Sequence, residues 1–84
     1  MNYKIVIEKP AQKFIAKQQL SQQKRILAAI KQLPDHGDIK VLKGSSDLFR
    51  LRVGDFRILY SVHNDLLIIR IIHIGNRGDI YKSF

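Results

Sequence analysis

The sequence predicts an α+β fold in which two helices pack on one face of a small, mainly antiparallel sheet, in the order β-α-α-β-β-β. Three observations carry this. A short β-branched segment opens the chain, two stretches with apolar residues at helical spacing follow, and three strand-like runs joined by very short turns complete it. Strands segregated from helices along a chain indicate α+β rather than alternating α/β architecture. At 84 residues the chain is one domain, residues 1–84, with a core near the small end of what folds unaided.

Each element has its own signal. Tyr3 to Ile7 is short and rich in β-branched residues, which reads as a strand. Pro10 suits the first turn of a helix, and Phe14 with Ile15 supplies its apolar positions up to about Lys17. Ser21 is the expected N-cap of the second helix, in which Ile26, Leu27, Ile30 and Leu33 form one stripe. Lys17, Lys24, Arg25 and Lys31 fall largely off that stripe. Pro34 is expected to end the helix, and residues 35–38 carry turn chemistry.

Residues 39–47 read as a connector containing Lys40 and Lys43. Strands are then expected at about Leu48–Val53, Phe56–Val62 and Leu66–Ile74. Gly54-Asp55 and His63-Asn64-Asp65 are tight enough for hairpins, so these strands should be antiparallel neighbours. The last is apolar at nearly every position, which predicts a strand that is central or covered on both faces. Two short helices can cover only one sheet face. Leu59, Ile69 and Ile71 are therefore candidates for apolar surface on the other, where a partner protein would dock.

Composition narrows the function. Hydrophobic content of 45% with 26% charged residues describes a globular chain, not a disordered one. The absence of cysteine removes disulfide and thiolate-metal chemistry, and the three histidines lack metal-ligand spacing, so neither metal nor cofactor is expected. The amino terminus runs straight into a strand, and the apolar run at 66–74 is broken by Arg70 and His73. A cytoplasmic protein without a membrane segment is the simple reading. Fifteen basic against seven acidic residues leave a net charge of +8, which favours a polyanion or an acidic partner protein. The excess is spread along the chain, with seven basic and three acidic residues in 1–39 and eight and four in 40–84.

The arrangement of the arginines is more telling. Arg50 and Arg52 alternate with apolar residues and should share a strand face, Arg57 stands in the next strand, and Arg77 follows the last. With Tyr81 they place four guanidinium groups and a phenol where three adjacent strands can gather them on one surface. Arginine offers phosphate a planar fork of donors and stays charged at any working pH. Blander roles exist for each residue. A strand arginine can be a solvated edge residue, Tyr81 can pack on the sheet, and His73 reads as a semi-buried histidine. Phe49, Phe56 and Tyr60 read as core rather than base-stacking residues, with Tyr60 the candidate exception because a buried hydroxyl needs a partner.

The Lys43-Gly44 connector, the run from Phe49 to Tyr60 and the ending from Ile74 to Tyr81 resemble the RelE/ParE superfamily of bacterial and archaeal toxins over essentially the whole chain. The resemblance implies a RelE-like microbial ribonuclease fold. For the RelE branch it implies a ribosome-dependent endoribonuclease that cuts mRNA in the ribosomal A site and is held inactive by a cognate antitoxin. It carries over Arg50, Arg52, Arg57, Arg77 and Tyr81; the expected catalytic residues are Arg52, Arg57, Arg77 and Tyr81, without a metal, and Arg50 and Arg52 with Lys40 and Lys43 are expected to grip RNA. The ParE branch, which poisons DNA gyrase without cutting RNA, and a non-catalytic nucleic-acid-binding relative are the competing readings. Two departures stand out. Asn76 occupies a position where many relatives carry histidine, and no glutamate follows Glu8, which excludes a glutamate base from the second half.

Overall fold

A computed structural model describes residues 3–42 and 47–77. Lys43 and Tyr81 lie outside the described residues. Within them the order is β1 (Lys4–Ile7), α1 (Lys9–Ala16), α2 (Leu20–Lys31), β2 (Asp38–Val41), β3 (Leu48–Val53), β4 (Phe56–His63) and β5 (Ile68–Asn76). The five strands form one mixed sheet in the order β1-β5-β4-β3-β2, with β1 parallel to β5 and every other pair antiparallel.

The expected α+β class stands, with two refinements. Part of the expected connector is a strand: Asp38–Val41 pairs with β3 and forms one edge of the sheet. Its four residues are mostly exposed, so it lacks the apolar run by which buried strands are recognised. The second helix begins one residue earlier than its expected cap. Gln19 holds the extended N-cap conformation without a side-chain cap, and Ser21 is inside the helix. The Gln23 side-chain amide instead donates to the Gln18 carbonyl across this corner, 2.9 Å.

Both helices lie on one face. Ala11 and Ile15 of α1, with Ile26 and Ile30 of α2, meet Leu51, Val53, Phe56, Ile58, Tyr60, Ile69, Ile71 and Ile74 of the sheet. α1 packs on β5 and α2 on β3. Phe14 meets Phe56 edge to face at 5.8 Å, and Phe49 stacks on Tyr60 at 5.4 Å, both favourable geometries for aromatic quadrupoles.

Ile69 and Ile71 are therefore core residues, contrary to their expected exposure. Leu59 stands on the opposite face, outside that core cluster, yet it is only 1% exposed. The cause of the misplaced facing is a β-bulge. Leu59 pairs with His73 while Tyr60 pairs with Ile71, which leaves Ile72 as the extra residue on β5. The alternation of β5 changes phase there, so Ile71 and Ile74, three apart, both enter the core. The last strand is interior, as expected, lying between β1 and β4.

Tyr60 belongs to the core and is not a base-stacking exception. Burial pushes its phenol up to about 12, because the phenolate would lose its water. In the unfolded chain the phenol ionises near its ordinary value of about 10. The stability tied to the neutral form is thus fully present below about pH 10 and lost as pH rises toward about 12. Tyr60→Phe should gain stability relative to the wild type as pH passes 10, measured by urea unfolding between pH 8 and 12. A constant difference across that range would rule out this coupling.

Candidate nucleic-acid interface

The face that the helices leave open is built in transverse rows. Residues paired across neighbouring strands share a side, and alternation sends Leu51, Ile58 and Ile74 to the helices. The intervening residues line up on the open side. One row runs Asp38, Arg52, Arg57, Gly75 across β2, β3, β4 and β5. The next, in the same register, runs Lys40, Arg50, Leu59, His73. The structure thus sets Arg50, Arg52 and Arg57 on one side of the sheet, joined by Lys40, which the sequence reading left in a connector.

Arg57 is the centre of this arrangement. It is 8% exposed, and its Nη1 donates to the carbonyls of Gly54 at 2.8 Å and Phe56 at 3.0 Å, both in its own hairpin. Among the described residues no carboxylate pairs with it. Its neighbour across β5 is Gly75, which brings no side chain to the row. Among the described residues the only partners of Arg57 are those two carbonyls, which leave the positive charge for an incoming anion to neutralise.

The other members differ from it. Arg52 is half exposed and pairs closely with Asp38, while Arg50 is 14% exposed and reaches the same carboxylate at 3.4 Å. The buried Nε of Arg50 has no hydrogen-bond partner. Lys40 is exposed on the edge strand. Arg77 is exposed just beyond β5, and its backbone N–H donates to the Asp55 carbonyl at 2.7 Å, which ties the end of β5 to the β3–β4 turn. His73 is half-buried. Tyr81, expected among the catalytic residues, lies outside the described residues.

Asp38 escaped sequence reasoning because it sits in what reads as a turn. Only the β2–β3 register shows that it faces both arginines. The rest of the open face is more nearly neutral, with Arg70 paired to Glu8 at 3.2 Å and Ser61 bonded to His63 at 3.2 Å. Hollows among the described residues flank the sheet. One of ≈ 290 Å³ lies between α1 and the end of β5, lined by Pro10, Lys13, Phe14, Lys17 and His73 to Asn76. Another of ≈ 280 Å³ adjoins Phe49 and Tyr60. Neither of these includes Arg50, Arg52 or Arg57. Among the described residues no histidine–carboxylate group could hold a metal, and no helix is long and apolar enough to cross a membrane.

A family model described as the ParE toxin of type II toxin-antitoxin systems matches residues 5–81. The chain belongs to the RelE/ParE toxin superfamily. A protein of Methanocaldococcus jannaschii that bears the toxin name RelE1 is 48% identical over 46 residues, which is 55% of this chain and 51% of the relative. The chain thus aligns with about half the length of that curated relative. Among solved structures, the archaeal RelE–RelB complex of Pyrococcus horikoshii superposes with a TM-score of 0.78 at 28% identity, covering 94% of this chain and 99% of that one. The RelB–RelE antitoxin–toxin complex of Methanococcus jannaschii gives 0.75 at 28% identity, covering 94% and 98%. The two helices and five-stranded mixed sheet are the architecture of these RelE structures.

Within this RelE-like chain, Asp38 holds negative charge directly against the basic rows. Its pairs are partly exposed, so Asp38→Asn should change unfolding free energy by no more than about 1 kcal/mol. The same substitution should raise the salt needed to elute the protein from a heparin column. Elution at unchanged or lower salt would mean that polyanions approach another surface.

Proposed function

We propose that this protein is the toxin of a type II toxin–antitoxin system and a metal-independent endoribonuclease that cleaves mRNA in the ribosomal A site. The observation that carries the reading is the sheltered Arg57 guanidinium, held by backbone carbonyls and unopposed by any described carboxylate, in a row with Arg52. Work at the ribosome places the protein in the cytoplasm.

The reaction is attack of the RNA's own 2′-hydroxyl. The 2′-oxygen–phosphorus bond forms and the bond from phosphorus to the 5′-oxygen breaks, which leaves a 2′,3′-cyclic phosphate. Tyr81 takes the 2′-proton, and the departing 5′-oxygen gains one. Arg57 and Arg77, with Arg52, stabilise the extra charge on the phosphoryl oxygens. Arg50, Arg52, Lys40 and Lys43 grip the neighbouring backbone.

Phenol ionises near pH 10, so a tyrosine base needs help. One positive charge about 5 Å away at an effective dielectric of about 20 contributes roughly 3 kcal/mol, near two pKa units. Two arginines therefore suffice once water is excluded, whereas in the free protein salt and solvent screen them. This arithmetic favours a site that works well only when enclosed by a larger assembly, as the A site would enclose it.

The antitoxin is the second partner. A net charge of +8 and an arginine-lined sheet face call for a segment that carries acidic residues. The matched family model is described as ParE, which keeps a ParE-like gyrase inhibitor as the alternative. Gyrase supercoiling assays beside ribosome cleavage assays separate the two.

Removing one preorganised donor typically costs about 10²–10³ in rate. Arg57→Ala and Arg77→Ala should each lower single-turnover cleavage on programmed ribosomes by that order. Rates within twofold of wild type in folded variants would remove both from the mechanism. For Tyr81→Phe, loss of a general base predicts a chemical step slower by about 10²–10⁴ with nearly unchanged binding. Its rate should also stop rising with pH. A slow variant that keeps the wild-type pH profile would make Tyr81 a positioning residue.

A further inference from the structure

Arg25 projects from α2, on the helical side of the sheet, yet its head lies against the β3–β4 turn. A Cβ at Gly54 would stand 2.7 Å from Nη2 of Arg25 and 3.0 Å from both Cζ and Nη1. The head of the Arg25 side chain thus occupies the space that a side chain at Gly54 would need. Only glycine permits this approach, and Gly54 also has a φ of +58°, where a side chain is strained.

Arg25 is exposed, and among the described residues no carboxylate pairs with it. The same turn receives two other arginines. Arg57 donates to the Gly54 carbonyl, and the Arg77 backbone donates to the Asp55 carbonyl. The guanidinium heads of Arg25 and Arg57 thus meet at one residue of this turn, and the Arg77 backbone joins its neighbour. Gathering like charges is unfavourable by itself and becomes favourable when an anion lies among them.

We propose that Arg25 is an RNA-gripping residue, which carries the phosphate-binding surface around the end of the β3–β4 hairpin. Its seat on Gly54 holds a positive charge where it can meet a backbone phosphate that flanks the one served by Arg57 and Arg77. The proposal rests on the ribonuclease reading of the site and adds to it a binding position outside the strands. Arg25 acts on association and not on the bond-breaking step.

The test measures binding of the purified protein to a fully 2′-O-methylated single-stranded RNA, which cannot be cleaved, across a salt series. Each phosphate contact on a single strand contributes about 0.7 to the slope of log affinity against log salt. Arg25→Ala should lose a slope of about that size, with affinity lower on the order of tenfold at low salt. Arg25→Lys should restore most of the slope, since the charge is kept. Lys24→Ala, which removes an exposed neighbouring charge with no seat on the turn, serves as the control. On ribosomes, Arg25→Ala should raise KM and leave kcat within about twofold.

An unchanged slope for Arg25→Ala, or an equal loss for Lys24→Ala, overturns the proposal. So does a variant that binds RNA normally and loses affinity only for an acidic protein partner. If the wild type cleaves no RNA on ribosomes, the ribonuclease reading fails, and the slopes on uncleavable RNA still decide whether Arg25 grips the strand.

Discussion

The site depends on how a small sheet accommodates an arginine at its centre. Arg57 sits on an interior strand, where a guanidinium loses most of its water. A carboxylate partner would satisfy it and also cancel its field. The β3–β4 hairpin supplies two carbonyls instead, which satisfy one nitrogen and leave the net charge in place. The neighbouring arginines are treated differently. Arg50 and Arg52 share Asp38 at the sheet edge, where solvent weakens the pairs. Among the described residues the basic face therefore grades from a sheltered cation with no carboxylate partner at its centre to loosely neutralised cations at its rim.

The β-bulge makes this grading possible. Without the extra residue at Ile72, strict alternation would carry His73 and Gly75 to the helical side and Ile74 to the open one. With it, Ile74 joins the core beside Ile58, and the smallest residue falls opposite Arg57. One insertion thus serves packing on one face and keeps a side chain away from Arg57 on the other.

Membership of the RelE/ParE superfamily and the placement of the arginines bear on different questions. The family model and the archaeal RelE structures establish the lineage and the fold. A shared scaffold leaves the choice of target to the side chains that it displays. Here those side chains are arginines and a lysine on the sheet face away from the helices, and Leu59, the apolar member of these rows, is itself covered.

Much of this was legible in the sequence because it follows from local periodicity. The α+β class, the boundaries of β3, the two hairpins and the shared face of Arg50 and Arg52 all come from residue type at spacings of two or about 3.6. Family resemblance rested on the same stretches, from Phe49 to Tyr60 and from Ile74 onward. What local pattern could not supply was anything set by register between distant segments. The edge strand Asp38–Val41 exists because β3 offers it hydrogen bonds, not because its own four residues demand a strand. Asp38 facing two arginines, the phase change that moved Ile69 and Ile71 into the core, and Arg25 lying on Gly54 are likewise products of pairing and packing. By itself the sequence determined which side chains carry the charge. Tertiary structure decided which of those charges are neutralised, because that depends on what the fold brings within a few ångströms of each.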